Sequence, residues 1–335
     1  MSKYKIFVIN PISIIGDILI RGIAHGFEKL GHEVFMADVR AIDGEKVKNF
    51  SPDFVLSLDY GHFVNKNAEK IINSLNVPVA HFFIDDPNST FAHSGDLTLY
   101  DKMASSEKSI VFCWDEAFLK DFKNKVYYLP TGIDFENYKT PDPSIKMEKS
   151  YILFAGRPLT DKREKIIAHV SKNFPGKLSI YSYKPHFDRS IEEMLQKGYL
   201  KEGKELEDYK KCYKGFLNGE KELAAAYHKC DMVLNITMEQ GPSSMNSRVL
   251  EALATGSFLL TDYVHDVEKY FIPDEDFVFY YNLDDLTEKF EKYLYNPELR
   301  KKVAGNGLRK VKESHTLFQR AESILEVMKE ISFHI

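Results

Sequence analysis

Arg248 and Glu251 are the residues of this chain best placed to do chemistry. They lie three apart in the stretch Asn246-Ser-Arg-Val-Leu-Glu-Ala-Leu-Ala-Thr-Gly-Ser-Phe-Leu-Leu-Thr-Asp262. It reads as a polar turn, a short helix ending at Gly256 and a buried strand from Ser257 to Thr261. At that spacing the two side chains share one helix face near the N-terminus. A helix N-terminus carries unpaired N–H groups and a partial positive charge, so it favours an anion such as phosphate. Arg248 adds a fixed cation. Glu251 would accept from hydroxyl groups. A phosphate clamp beside a hydroxyl clamp is what a nucleotide-sugar requires. The plain alternative is an ordinary helix–strand unit with a solvated Arg–Glu pair.

The elements that must position this pair alternate apolar strands with amphipathic helices, the pattern of parallel α/β sheets. Strands are predicted at Lys5 to Asn10, Glu33 to Asp38, Phe54 to Leu58, Val79 to Ile84, Ile110 to Trp114 and Val126 to Leu129. Helices are predicted at about 17–30, 67–75 and 116–122. Tyr138 to Ser150, rich in Pro, Lys and Asp, reads as a linker. The alternation restarts with strands at Tyr151 to Ala155, Leu178 to Tyr183, Met232 to Ile236 and Phe277 to Tyr280, and with helices at Asp161 to Asn173 and Glu220 to Lys229. Lys184 to Gly219 reads as a helical or loop insertion, and Leu283 to Ile331 as helical. Two α/β halves therefore stand in tandem. Ligands of open α/β sheets sit beyond the carboxyl ends of the strands. Gly16, Asp17, Asp85, Asp86, Gly156, Arg157, Tyr181 and Asn235 fall at such ends, and a two-domain arrangement would face them across one cleft.

Composition narrows the function classes. The chain has 335 residues, 44% hydrophobic and 28% charged, which fits roughly two soluble domains. A formal charge of -5 argues against a protein whose task is to coat nucleic acid. Cys113, Cys212 and Cys230 are odd in number and far apart, so neither a disulfide framework nor a zinc site is expected. No signal peptide or membrane span is read from the sequence. A cytoplasmic protein with at most peripheral membrane contact is expected.

With these residues in view, the chain resembles the GT-B glycosyltransferases, and more narrowly the CgeB-like (spore-maturation) group. The resemblance is carried by Ile152-Leu-Phe-Ala-Gly-Arg157, Leu178-Ser-Ile-Tyr181, Tyr227-His-Lys-Cys-Asp-Met-Val-Leu-Asn235, the Asn246 to Asp262 stretch and His315-Thr316 with Arg320. Phe82-Phe-Ile-Asp-Asp-Pro87 and Tyr128-Leu-Pro-Thr-Gly-Ile-Asp134 add to it in the first half. It implies two Rossmann-like domains facing a central cleft, residues 1–145 for the acceptor and 146–315 for the donor, with the helix at 316–335 crossing back to the first. It implies transfer of a sugar from a nucleoside-diphosphate-sugar, a UDP-sugar first among them, to a glycan or protein hydroxyl. Neither a cofactor nor a metal is expected.

The resemblance also assigns residues. Arg248 matches a diphosphate ligand and Glu251 the acceptor of ribose hydroxyls. Gly16, Gly156, Arg157, Arg163, Tyr181, Asn235, Asn246 and Val249 join them as donor-binding candidates, with Lys162 a weaker one. Retaining members carry Glu-x7-Glu, but the position eight before Glu251 is Ser243, a departure that leaves the stereochemical outcome open. An inverting transfer requires a general base near the acceptor hydroxyl. Asp85, Asp86 and Asp17 are the candidates, with His81 more readily a satisfied core histidine. Two rivals share the fold: a nucleotide-sugar 2-epimerase, and a non-catalytic nucleotide-sugar-binding protein.

Overall fold

The apolar runs form parallel strands, the inner ones buried on both faces as continuous hydrophobic segments are. The computed structural model describes residues 3–332 except 12–13, 60–61, 64, 85–100, 102 and 238–242. Asp85 and Asp86 therefore lie outside the described residues. The chain divides into two compact units, Met1–Asp134 with Met238–Asn246 and Ser314–Ile335, and Phe135–Thr237 with Ser247–Glu313.

The first unit holds strands β1 (Lys5–Asn10), β2 (Glu33–Asp38), β3 (Phe54–Leu58), β4 (Val79–Phe83), β5 (Ser109–Cys113) and β6 (Val126–Tyr128). They form one parallel sheet in the order β2-β1-β3-β4-β5-β6. Helix α1 (Ile14–Lys29) follows β1, and α2 (Gly44–Phe50) and α3 (Lys66–Leu75) cover the other side of the sheet. The sequence reading lacked α2. Its one fully buried side chain is Val47, too little for a periodic stripe, and its start is marked by Asp43, which accepts from the Glu45 and Lys46 amides. Residues Glu116–Asp121 wind as a 3-10 helix instead of an α-helix.

The second unit begins with the single-turn α4 (Phe135–Tyr138) and then runs β7 (Ser150–Ala155), α5 (Asp161–Asn173), β8 (Leu178–Tyr181), α6 (Lys184–Gln196), α7 (Lys204–Lys211), β9 (Tyr213–Gly215), α8 (Glu220–His228) and β10 (Cys230–Asn235). It continues with α9 (Ser247–Ala254), β11 (Leu259–Asp262), β12 (Val278–Tyr280), α10 (Leu283–Leu294) and α11 (Pro297–Ser314). Its parallel sheet has the order β12-β11-β10-β7-β8-β9. The expected insertion at 184–219 thus supplies two helices and the edge strand β9.

The last helix, α12 (Leu317–Ser332), belongs to the first unit. Leu317, Ala321, Ile324, Leu325 and Met328 join the core formed by α1 and the sheet. Contact with α1 is close because Gly22 and Gly26 present no side chain: a Cβ at Gly26 would lie 2.8 Å from Ala321 Cβ and 3.2 Å from the Phe318 Cα. Where α12 starts, Thr316 bridges Ile133, and Arg320 donates to the Thr131 carbonyl at 3.1 Å. Among the described residues, no helix is long and apolar enough to cross a membrane.

Candidate active site

In the second unit the strand order reverses between β7 and β10, the kind of switch point beyond whose carboxyl ends ligands of open α/β sheets bind. Gly156-Arg157 follows β7, and Ile236-Thr237 follows β10. Gly156 has φ +156, and its amide donates to the Tyr181 carbonyl at the end of β8 at 3.0 Å. Tyr181 itself is buried.

Helix α5 points its first turn at this edge, capped by Thr160, which accepts from the Arg163 amide. The Arg163 guanidinium turns inward. Nε and Nη2 donate to the Ile236 carbonyl at 3.1 and 2.8 Å, and Nη1 donates to the Arg157 carbonyl at 2.8 Å. Burial, with Asp262 acting against it, lowers its pKa to about 10, and Arg248 and Arg157 lie near enough to add to the lowering. Arg163 thus ties the β7 loop to the β10 loop. Lys162, its neighbour, pairs with Asp262 at the end of β11 and donates to the Thr237 hydroxyl at 3.1 Å. Asp262 in turn accepts from the Thr237 amide at 2.9 Å and hydroxyl at 2.5 Å. The side chain of Asn235 donates to the Thr261 hydroxyl at 2.9 Å, and its carbonyl accepts from Tyr280 at 3.1 Å. Arg157 is exposed, and among the described residues its guanidinium makes no hydrogen bond or ion pair.

Arg248 and Glu251 form an ion pair on the first turns of α9. Glu251 is buried, while the Arg248 side chain keeps 36% of its surface exposed. Val249, between them, is fully buried and faces the core. Two buried phenols back the pair, Tyr138 from α4 and Tyr227 from α8. Burial, and after it the charge of Glu251, raises the pKa of Tyr138. Burial works against the charged form of Arg248, yet Glu251 and the two phenols outweigh it and raise its pKa. Asn246, half-buried, is the last residue of the segment grouped with the first unit.

In the first unit, Gly16 is buried in the opening turn of α1, and Asp17 accepts from Arg21 Nε at 2.9 and 2.8 Å. His81 is fully buried. Its Nδ1 faces the Asp59 carbonyl at 3.1 Å and its Nε2 the Ser109 hydroxyl at 3.3 Å. Burial lowers its pKa to about 4, so it is a neutral core residue at ordinary pH. Sequence reasoning passed over Asp115, which caps the 3-10 helix after β5 and is fully buried. It accepts from the amides of Ala117, Ser243 and Ser244 at 2.8, 3.2 and 3.0 Å and from the Ser243 hydroxyl. Ser243, the residue standing where retaining members have glutamate, is thus a structural tether. Gly241 and Pro242 lie outside the described residues. Among the described residues, no three His, Cys, Asp or Glu side chains converge on a possible metal position.

Residues 163–326 match a family model described as glycosyl transferase-like. Among curated proteins, none matches the chain. Solved structures match throughout. A glycosyltransferase from Rickettsia africae has TM-score 0.69 at 15% identity and covers 99% of each chain. Sucrose-phosphate synthase from Thermosynechococcus elongatus has TM-score 0.68 at 13% identity, covering 99% of this chain and 100% of its own. Anabaena HepE, solved with UDP and glucose, has TM-score 0.66 at 12% identity, covering 98% of this chain and 100% of its own. Residues 163–326 are therefore similar to a glycosyl transferase-like family, in a chain with the GT-B fold.

Proposed function

We propose that this chain transfers a sugar from a nucleoside-diphosphate-sugar, with a UDP-sugar as the first candidate, to a hydroxyl of a glycan or protein acceptor. In this reading residues 146–315 are the donor half and residues 1–145 with 316–335 the acceptor half, and the chain falls in the CgeB-like group. One observation carries it. Among the described residues, Arg157, Lys162, Arg163 and Arg248 gather around the strand ends of the second unit, where Asp262 pairs with Lys162 and Glu251 with Arg248. An excess of cations at a sheet's switch point is the complement of a diphosphate. The structures of Anabaena HepE with UDP and with UDP-glucose support the choice of base.

The chemistry follows from that charge. Cleaving the sugar–phosphate bond leaves a diphosphate whose terminal charge grows in the transition state. Contacts to it from Arg157 and Arg248 strengthen as the bond breaks, which is where binding energy accelerates a reaction. Arg163 and Lys162 act through the loops they hold. Glu251 gives one oxygen to Arg248 and offers the other to a ribose hydroxyl. These protein cations stabilise the leaving group without calling on a metal. The base that activates the acceptor is assigned to Asp85, Asp86 or Asp17, of which Asp17 is paired with Arg21.

The test is a thermal-shift screen over UDP-, GDP-, ADP-, CDP- and dTDP-sugars, followed by transfer and hydrolysis assays with the stabilising donors. Stabilisation with transfer supports the reading. Release of an altered nucleotide-sugar without acceptor would make the chain an epimerase. Binding without turnover across a broad acceptor panel would make it a binding protein, and absence of stabilisation by every nucleotide would remove the proposal.

A further inference from the structure

Asn10, the last residue of β1, is 6% exposed, and its side-chain carbonyl Oδ1 has no hydrogen-bond partner. Buried polar atoms are hydrogen-bonded in the great majority, so this one needs a reason. Its place supplies one. The order of the first sheet reverses between β1 and β3, and Asn10 stands at the carboxyl edge of that switch point. Side chains alternate along a strand. Ile6 and Val8 of β1 and Val34 and Met36 of β2 pack in one core with Leu19, Ile20 and Ile23 of α1. Asn10 and Asp38 continue those two rows and pair in register, so they stand side by side at the amino end of α1, which begins at Ile14. Asp38 Oδ1 accepts from the Arg40 amide and Nε at 2.8 Å each, and Oδ2 accepts from Nη2 at 2.5 Å. These bonds hold the Asp38 carboxyl down at about 2, and it stays half-buried.

We infer that Asn10 and Asp38 bind adjacent hydroxyls of a neutral sugar. Neighbouring strands lie about 4.8 Å apart, so one ligand with two vicinal hydroxyls reaches both acceptors. Each hydroxyl donates to one of them, and the amino end of α1 offers amide donors to the same oxygens. A hydroxyl, donor and acceptor at once, suits that mixture. A carboxylate at the end of the second strand is also where Rossmann-like units hold a ribose diol. A dinucleotide is not the occupant, because Asn10 to Asp17 contains one glycine, Gly16, and no Gly-x-Gly-x-x-Gly. Charge disfavours any anion. Arg21 and Arg40 are paired with Asp17 and Asp38, and the open Oδ1 of Asn10 would face the anion acceptor to acceptor. Naming the sugar as the acceptor of transfer, held beside Asp17 in the first turn of α1, rests on the proposed function. The site itself does not.

The test is titration of the full chain with the methyl glycosides of glucose, galactose, mannose and N-acetylglucosamine, read by saturation-transfer NMR. At least one glycoside binds. Asn10→Leu replaces the open amide by an apolar group of similar size, so its Tm stays level or rises while the glycoside binds about threefold to tenfold more weakly. Asp38→Ala weakens binding by about tenfold or more. Asp38 is half-buried, so its variant reads the site even where Asn10→Leu does not fold. The nucleotide-dependent thermal shift is unchanged in both variants, so failure here and failure of the donor site are read separately. Binding of no glycoside, or undiminished binding by either folded variant, overturns the site. So does displacement of the bound glycoside by inorganic phosphate, which would make this an anion site.

Discussion

Replacing Arg248 by alanine separates its two roles, in the fold and in binding. In the free protein its guanidinium is the partner of buried Glu251, so its loss strands a carboxylate. Breaking a fully buried pair costs about 3–5 kcal/mol. Arg248 is more than a third exposed, so solvent reaches the pair and the cost falls to about 1–2 kcal/mol. At roughly 2–4 °C per kcal/mol this lowers Tm by about 2–8 °C. The double variant Arg248→Gln, Glu251→Gln removes both charges and recovers most of that loss. The binding role is read on top of it. A ligand at 100 times its Kd stabilises by about 2.7 kcal/mol. Losing one charge-assisted contact costs about 1.5–3 kcal/mol, a weakening of roughly tenfold to 150-fold. At the same ligand concentration the remaining stabilisation is then about 1.4 kcal/mol or less. The assay is differential scanning fluorimetry with UDP and UDP-glucose over a concentration series. An undiminished ligand shift in a folded Arg248→Ala protein refutes the diphosphate clamp.

Three further outcomes follow from geometry already described. Gly26→Ala drives a methyl against the Phe318 backbone, and Gly22→Ala drives one into the buried side chain of Leu317; each is expected to cost about 1–3 kcal/mol in a thermal melt. Asp115→Ala leaves the Ser243 and Ser244 amides without their acceptor, and is expected to cost about 2–4 kcal/mol and to speed hydrogen exchange at both. His81, neutral when folded with a pKa of about 4, takes up a proton more readily when the chain unfolds. Its contribution is therefore fully present above about pH 6.5 and is lost as pH falls from there towards 4, by about 3 kcal/mol in all; His81→Phe should flatten that part of a urea-midpoint profile against pH.

Much of this was legible from residue order. The buried strands are continuous apolar runs closed by Gly, Pro or Asp, so their number and sequence in the first unit were plain. The edge strand β9 was not, because three residues of mixed exposure carry no period. The Arg248–Glu251 pairing follows from helical spacing. The inward turn of Arg163 does not, since its acceptors are backbone carbonyls, one of them at Ile236, more than seventy positions away. Asp115 had a local sign, a carboxylate just before Glu116 at a strand end. Its second role depends on Ser243 and Ser244, which only the folded chain brings to it.

The seating of α12 beside α1 has a consequence for synthesis. Every strand of the first sheet has been made once residue 128 is added, yet the layer over one face stays open until Leu317 to Met328 arrive. At roughly 5–20 residues per second, the ribosome needs about 10–40 s to reach them. During that interval the half-finished lobe exposes the apolar seam on α1 around Gly22 and Gly26, and the segment 135–313 can form its own core first. A nascent chain stalled before residue 317 should therefore display a protease-sensitive first lobe beside a resistant second one.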